Sequence, residues 1–401
     1  MNKKISLGAA ITFCIIIAAV TFSITWMISS DMFNDLISGF SQQNPIDQKM
    51  NEIDSYVRAN YVNDIDEAEL VNSMADGYVA GLNDPYAQYY TAEEMKSFEQ
   101  GYDGVVNGIG ITCTSDTSGY LAVISVMENS PASSSGVQAG DFIIAVDGQD
   151  LKQLSFQDAA GLLEGDPGTT VNVTYRHEGV DTQVQMTRQK LVPNWVNAHL
   201  DSSVGYIQIK DFNDNANAQF QTALNDMVKQ GAKSLVFDLR GNNGGSLDSV
   251  CKMLDPLLPE GVIVTETKKD GTTQTLATSD KNEIDLPMVV ITDKNTASAA
   301  ELFAADLKDY GKAQQVGTTT YGKGVMQETH TLRDGSAVKI TVGYFNPANG
   351  QNFNGVGLTP DFEVKLTDQE LTAYNQGTLP LDQDPQYKKA IEVLNTSQQS
   401  E

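Results

Sequence analysis

Asn295-Thr296-Ala297-Ser298-Ala299-Ala300-Glu301-Leu302 follows the apolar run Met288 to Thr292 and opens a helical pattern. A serine at such a junction has its hydroxyl near free backbone N–H groups and the positive end of the helix dipole. That is a sound place for a nucleophile and for the oxyanion it generates, although alone Ser298 could simply cap the helix. Downstream stands Tyr321-Gly322-Lys323-Gly324-Val325-Met326-Gln327. A lysine between two glycines sits on tightly specified backbone. The pattern Gly-x-x-x-x-Gly-Lys-Ser/Thr fails at its last position, where Gly324 stands, and no helical pattern comes after it, which argues against a nucleotide site. Lys323 is then either a solvent lysine or a catalytic amine. A third segment, Asp238-Leu239-Arg240-Gly241-Asn242-Asn243-Gly244-Gly245-Ser246, closes a strand. Its glycines can bring backbone N–H groups close to an anion; a plain strand-to-helix turn reads the same way.

A serine nucleophile needs a base. The chain has three histidines, His177, His199 and His330. Only His330 lies near these loops, so a Ser-His hydrolase using it is one alternative. A neutral lysine is the other. Bringing an ordinary lysine from about 10.4 to near neutrality disfavours its ammonium by roughly 4 kcal/mol. Burial without a carboxylate partner, or a nearby positive charge, can supply that. Gly317 to Gln327 contains no acidic residue. Gln327 could accept a hydrogen bond from the amine and aim it, without holding it charged as a carboxylate would.

These residues need a scaffold. The 401 residues exceed what one core usually uses, and predict two or three domains. Residues 31–100 read as helical and acidic, with Ile53, Tyr56, Val57, Leu70, Met74 and Tyr78 at helical spacing until Asn83-Asp84-Pro85 stops the pattern. From Gly101 the texture turns to short strands: Leu121 to Val126, Phe142 to Val146, the hairpin signal Asp147-Gly148, and Thr170 to Tyr175, with a short helix from Phe156 to Leu163. After Pro193 strand and helix alternate: Gly205 to Ile209, a helix capped by Asn213 or Asp214 and ended by Gly231, Leu235 to Leu239, Met288 to Thr292, and a helix from about Ala297 to Leu307. That alternation argues for a mostly parallel sheet. A last short helix spans Asp384 to Leu394.

The 52 acidic and 26 basic residues give a net charge of −26, which excludes a nucleic-acid partner because phosphates need a basic face. Three cysteines, Cys14, Cys113 and Cys251, form neither a disulfide framework nor a zinc pattern, and Cys113 and Cys251 are expected to be free and buried. No metal and no cofactor is expected. Residues 5–30 carry no charged side chain and follow Lys3 and Lys4. The span is long enough to cross a bilayer, and the lysines put its start in the cytoplasm. An uncleaved anchor is expected, with a cleaved signal peptide as the alternative; either places the globular part beyond a bacterial cell membrane.

Taken together, these segments resemble the carboxyl-terminal processing protease family, Ser-Lys peptidases with an embedded PDZ domain. Ser298-Ala299-Ala300-Glu301 resembles its Ser-Ala-x-Glu motif, Gly322-Lys323-Gly324 with Gln327 its Gly-Lys-Gly-x-x-Gln motif, and Asp238 to Gly245 its glycine loop. Gly81 to Tyr86 and Thr91 to Glu94 resemble the helical segment before the PDZ domain. Gly108-Ile109-Gly110-Ile111 resembles the PDZ carboxylate-binding loop, and Ser130-Pro131-Ala132, Gly136 to Asp141 and Ile144 to Gly148 match the rest of that domain. Each motif is weak alone; their order makes them specific, over about residues 50–395.

The resemblance implies an α/β protease core of crotonase/ClpP-like βα units with an inserted, mainly-β PDZ domain. The expected layout is 1–30 stub and anchor, 31–100 helical segment, 101–187 PDZ domain, 188–370 Ser-Lys core and 371–401 helical tail. It implies Ser298 as nucleophile, Lys323 as general base and Gln327 as its orienter. The N–H groups of Gly244 and Ala299 would form the oxyanion hole, with Gly245 supporting the turn. Gly108, Ile109, Gly110 and Ile111 would bind a substrate's C-terminal carboxylate. The implied partners are proteins or peptides with free C-termini and, as in many relatives, a second copy of the chain. One departure concerns gating: after the PDZ helix, Leu162-Leu163-Glu164-Gly165 stands where many relatives carry a basic residue that senses bound peptide. A catalytically silent PDZ scaffold is a further alternative.

Overall fold

The computed structural model describes residues 18–27, 29–30 and 45–397. Among these, no helix is long and apolar enough to cross a membrane. The anchor expected over residues 5–30 lies largely outside the described residues, as does Cys14. The chain divides into two units, Met1–Val71 and Asn72–Glu401, a boundary inside the expected helical segment. Helix α1 (Pro45–Asn60) buries no residue, and Arg58 near its end bonds Asp54 Oδ2 at 2.8 Å and Glu67 Oε1 at 2.5 Å. Helix α2 (Glu67–Ala80) buries only Val79. Ile53, Tyr56, Leu70, Met74 and Tyr78 keep their helical spacing and are exposed.

Asn83, at φ 53°, and Pro85 then break the helix. The chain continues not as helix but as a short strand, β1 (Gln88–Tyr90), and then helix α3 (Ala92–Asp103). Tyr89 and Tyr90 are both buried, so their contribution to the core overrides the helical texture around them.

The small β domain runs from β2 (Val106–Gly108) through β3 (Ile111–Ser115), β4 (Leu121–Val126), helix α4 (Pro131–Ser134), β5 (Phe142–Val146), β6 (Gln149–Asp150), helix α5 (Phe156–Gly161), β7 (Thr170–His177) and β8 (Val180–Thr187) to β9 (Gln189–Leu191). The sheet order is β3-β4-β5-β7-β8, with β6 on β5, and β2 and β9 pair to close the domain's two ends. Inward residues alternate along the strands, as in β7, where Val171, Val173 and Tyr175 are buried. They join Ile109, Leu121, Val123, Ile143 and Leu163 in one core.

The larger core is a six-stranded sheet of order β10-β11-β12-β15-β16-β19. Its strands are β10 (Val196–Asp201), β11 (Val204–Ile209), β12 (Ser234–Asp238), β15 (Met288–Thr292), β16 (Ala313–Gly317) and β19 (Phe362–Glu363). Only the β10–β11 pair is antiparallel. Every residue of β12 and β15 is buried, the mark of a parallel sheet covered on both faces. Helices α6 (Asp214–Lys229), α7 (Leu247–Leu254) and α8 (Ala299–Asp309) cover one face, where Leu235 and Phe237 meet Phe220, Val250 and Phe303. After helix α9 (Asp368–Asn375), helix α10 (Pro385–Ser397) covers the other face, placing Tyr387, Ala390 and Leu394 on Val236, Val289 and Val316. Asn213 caps α6 by accepting from Ala216 N at 2.8 Å. The alternation did not disclose a second, antiparallel sheet, β1-β18-β13-β14 with β17 on β18. It comprises β13 (Gly261–Lys268), β14 (Thr273–Ser279), β17 (Val325–Thr331) and β18 (Ala337–Asn346). Cys251 is free and buried; Cys113 is free and only half-buried, on the solvent-edged strand β3.

Candidate active site

The three chemical segments leave the C-terminal ends of three neighbouring parallel strands. The glycine loop comes after β12, the serine turn after β15 and the lysine loop after β16, and β12-β15-β16 is the order in the sheet. Loops at the carboxyl ends of such strands are where open α/β sheets hold ligands. Here they meet around a cavity of about 650 Å³, lined by Gly245, Ser298, Ala299, Lys323, Gln327 and Lys339 among others.

Ser298 sits at φ 57°, ψ −119°, a conformation a non-glycine residue adopts only under constraint. The helix therefore begins at Ala299, two residues later than the sequence pattern places it. The constraint comes from Glu301, which is fully buried. Its Oε2 accepts from Ser298 N at 2.9 Å and from Lys323 N at 2.8 Å. Its Oε1 accepts from Thr320 Oγ1 at 2.5 Å and Gly322 N at 2.7 Å. One carboxylate thus joins the serine turn to the lysine loop through four charge-assisted hydrogen bonds, which is how a buried charge is tolerated. From the other side, Asn352 Nδ2 donates to Gly324 O at 2.8 Å and Gly324 N to Asn354 Oδ1 at 3.1 Å.

The Lys323 amine is half-buried and forms no ion pair among the described residues; its near neighbour is the Tyr86 ring, with Nζ 4.7 Å from the centroid. Burial holds its pKa below the ordinary lysine range, helped by the positive charge of Lys339 and opposed by Asp84 and Glu301. Gln327 shares the cavity, yet its amide nitrogen donates to Val325 O at 3.2 Å and Thr341 Oγ1 at 3.4 Å. The expected hydrogen bond to the amine is not made. A register shift between Met326 and Gln327 turns the side chain toward β18. His330 is exposed and does not line the cavity, because it alternates with Thr329, which does.

The glycine loop is anchored from beneath. Arg240 Nε donates to Asp238 Oδ1 at 2.9 Å, Arg240 Nη1 lies 2.7 Å from Asp384 Oδ2, and the guanidinium lies 4.0 Å from the Tyr374 ring centroid. Asn242 Nδ2 donates to Ile209 O at 2.9 Å, and Ala297 N donates to Asn242 O at 2.9 Å. Gly244 N donates to Asn242 Oδ1 at 2.8 Å. That N–H is therefore engaged, and Gly245, not Gly244, lines the cavity. Of the three residues expected at the oxyanion hole, Gly245 and Ala299 line the cavity, and Gly244 N is taken by Asn242. Gly244 has a steric part instead: at φ +107°, a Cβ there would stand 2.8 Å from Ser298 Cβ. Among the described residues no cluster of three or more His, Cys, Asp or Glu is placed to share a metal ion.

In the β domain, Gly108 ends β2, Ile109 is buried and Ile111 opens β3, an edge strand. Ala132 N donates to Ile109 O and Met127 N to Gly110 O, both at 2.9 Å. Gly110, at φ +82°, has no room for a side chain, since a Cβ would lie 2.4 Å from Ser130 Cβ. Burial raises the pKa of Glu164 at the end of α5. A basic group does reach that helix end, from Arg188: Nη2 donates to Leu162 O at 2.8 Å and Nε to Leu163 O at 3.3 Å. Sequence reading gave no role at these sites to Arg188, Tyr86 or Lys339, all remote in the chain from the groups they meet. Glu301 was legible as part of a motif, but its link to Lys323 was not.

The family model for peptidase family S41 matches residues 203–364, that for a PDZ domain residues 123–177, and that for the activating protease CtpB N-terminal domain residues 7–94. The carboxy-terminal processing protease CtpA of Bacillus subtilis is 29% identical over 85% of this chain and 72% of its own length. The carboxyl-terminal-processing protease of Picosynechococcus sp. is 32% identical over 83% of this chain and 80% of its own. The solved photosystem II D1 C-terminal processing protease superposes with a TM-score of 0.50 at 28% identity, over 79% of this chain and 86% of the other. The chain therefore belongs to the carboxyl-terminal processing proteases of peptidase family S41, serine-type peptidases that carry a PDZ domain.

Proposed function

We propose that this peptidase works by a Ser-Lys mechanism with an acyl-enzyme intermediate. The observation that carries the reading is the Glu301 carboxylate, bonded to both Ser298 N and Lys323 N, which ties a strained serine and an unpaired, half-buried amine to one cavity. Neutral Lys323 takes the proton of Ser298 as the hydroxyl attacks the scissile carbonyl, and returns it to the leaving amine. Gly245 and Ala299 N–H groups hold the developing oxyanion, each worth about 100- to 1,000-fold. Water then releases the acyl group, with Lys323 again as base. Gln327 orients the amine once a bound peptide turns its side chain away from Thr341.

In this reading the PDZ domain receives a substrate's C-terminus as an added strand along β3, its carboxylate at the Gly108 to Ile111 loop. The chain is anchored in a bacterial cell membrane by residues 5–30, with its catalytic part outside, where it cuts exported proteins. The exposed Ile53, Tyr56 and Tyr61 of the N-terminal helical segment support pairing with a second copy.

On a quenched fluorescent peptide with a free apolar C-terminus, Ser298→Ala and Lys323→Ala should each cost about 10⁴-fold or more in kcat/KM. His330→Ala should cost little. Since the active lysine is the neutral one, the rate climbs as pH rises through its lowered pKa. Near-normal turnover by Lys323→Ala, or a rate indifferent to pH, defeats the mechanism.

A further inference from the structure

Two lysines line the catalytic cavity, Lys323 and Lys339. Lys339 stands on β18 opposite Thr329 of β17, and Thr329 and Gln327 line the same cavity, so the hairpin turns one face of alternating residues toward the serine. In a chain with twice as many acidic as basic side chains, the Lys339 ammonium makes no ion pair among the described residues. It is held by aromatics instead: Nζ donates to Tyr90 Oη at 2.8 Å and lies 5.3 Å from the Tyr90 ring centroid and 5.2 Å from that of Phe98. Both rings come from the segment before the PDZ domain, on β1 and α3. Aromatic faces hold a cation without neutralising it, so its field stays available to the cavity.

We propose that Lys339 is a positioning residue for the base: its caged ammonium disfavours a second positive charge at Lys323 and so keeps the catalytic amine ready to accept the proton of Ser298. The inference rests on the Ser-Lys reading. The other groups around Lys323 fit this division of labour. Asp84, in the turn before β1, favours the charged amine, but accepts from Thr341 N at 3.3 Å. Glu301, on α8, favours it too, but its oxygens are taken by four donors. Tyr86 offers its ring face and shares a hydrogen bond with Tyr321, on the lysine's own loop. Lys339 is the opposing charge in this set, alongside burial itself. A neighbouring cation is a known way to activate an amine.

The test is the pH profile of kcat/KM for the full-length chain on the same quenched peptide. Lys339→Met should move the acid limb to higher pH, lowering the rate at pH 7 about tenfold relative to the variant's own alkaline plateau. Lys339→Arg, which keeps the charge, should leave the limb where it is, whatever happens to the plateau. Lys339→Gln retains a donor for Tyr90 and reports the same shift if the methionine variant does not fold. A limb unmoved by loss of the charge overturns the proposal, and a changed KM with an unmoved limb identifies a substrate contact instead. So does an arginine variant shifted as far as the methionine one. If Lys323→Ala stays active, the Ser-Lys reading fails; if Lys323→Ala is dead and the limb still does not move, only the role of Lys339 fails.

Discussion

Under the proposed function, the serine and lysine loops of the protease core and the Gly108 to Ile111 loop of the PDZ domain both serve to hold negative charge on backbone groups, and they are built in opposite ways. In the core, one buried carboxylate takes four donors at 2.5–2.9 Å and fixes two loops at once. Below it, Arg240 is itself buried between Asp238, Asp384 and Tyr374. The PDZ loop is held by two carbonyl hydrogen bonds and by a glycine pressed on Ser130, and it leads into an edge strand. An oxyanion hole must be ordered before the charge appears, because reorganisation during the reaction raises the barrier. A site that adds a peptide strand needs an unpaired edge instead. On that reading, order is concentrated where bonds change and withheld where partners are read.

The most damaging single change to the core, after loss of Ser298 or Lys323 themselves, should be Glu301→Gln. It replaces one acceptor oxygen by an N–H₂ group facing two donors inside a buried site, leaving them unsatisfied. We expect about 10³-fold or more off kcat/KM and a stability loss of about 2–4 kcal/mol, read by peptide hydrolysis and urea unfolding. A Glu301→Gln enzyme within tenfold of wild type would erase the contrast. In the PDZ loop, Gly110→Ala forces a side chain against Ser130 at positive φ, costing about 1–3 kcal/mol locally. The preference for substrates with a free C-terminus over amidated ones should shrink about tenfold or more. Equal losses on both substrates would mean that the loop serves the core rather than recognition.

The legibility of each region depends on how local its causes are. Strands β4, β5, β12 and β15 were readable because apolar runs and flanking turns mark them within a few residues. The cap of α6, expected at Asn213 or Asp214, was equally local, and Asn213 fills it. Helix α8 was placed two residues early because a helical pattern does not reveal that Ser298 adopts φ 57°. Strand β1 and the union of the β13-β14 and β17-β18 hairpins into one sheet escaped because those pairings are long-range: Gln88 aligns with Lys339, and Thr265 with Asn346. Ser298, Lys323 and Gln327, picked out by type and spacing, line one cavity. Which glycine N–H is already engaged was not legible, since only the Asn242 side chain tells. Arg188, 24 residues beyond Glu164, brings to the helix end a guanidinium that the local sequence there lacks.

The smallest expected effect concerns pH, and it sets the two regions against each other. In the PDZ domain, His177 Nδ1 lies 2.6 Å from Asp141 Oδ1, and Asp141 is buried. That hydrogen bond raises the His177 pKa above its ordinary value. A raised folded-state pKa contributes stability that is fully present below the unfolded value near 6.5, and is lost as pH rises through the folded one. Rising pH also favours the neutral form of Lys323, whose pKa burial lowers, so under the proposed mechanism recognition should loosen as chemistry strengthens. The imidazole is well exposed, so the effect should be small, about 1–2 °C in the PDZ melting step. Hydrogen exchange at Val171 and Val173 in the full chain can follow it from pH 6 to 8, and His177→Gln should flatten the slope. If wild type and His177→Gln lose protection in parallel over that range, once intrinsic exchange is corrected, the ion pair stabilises nothing and the two regions do not oppose each other in pH.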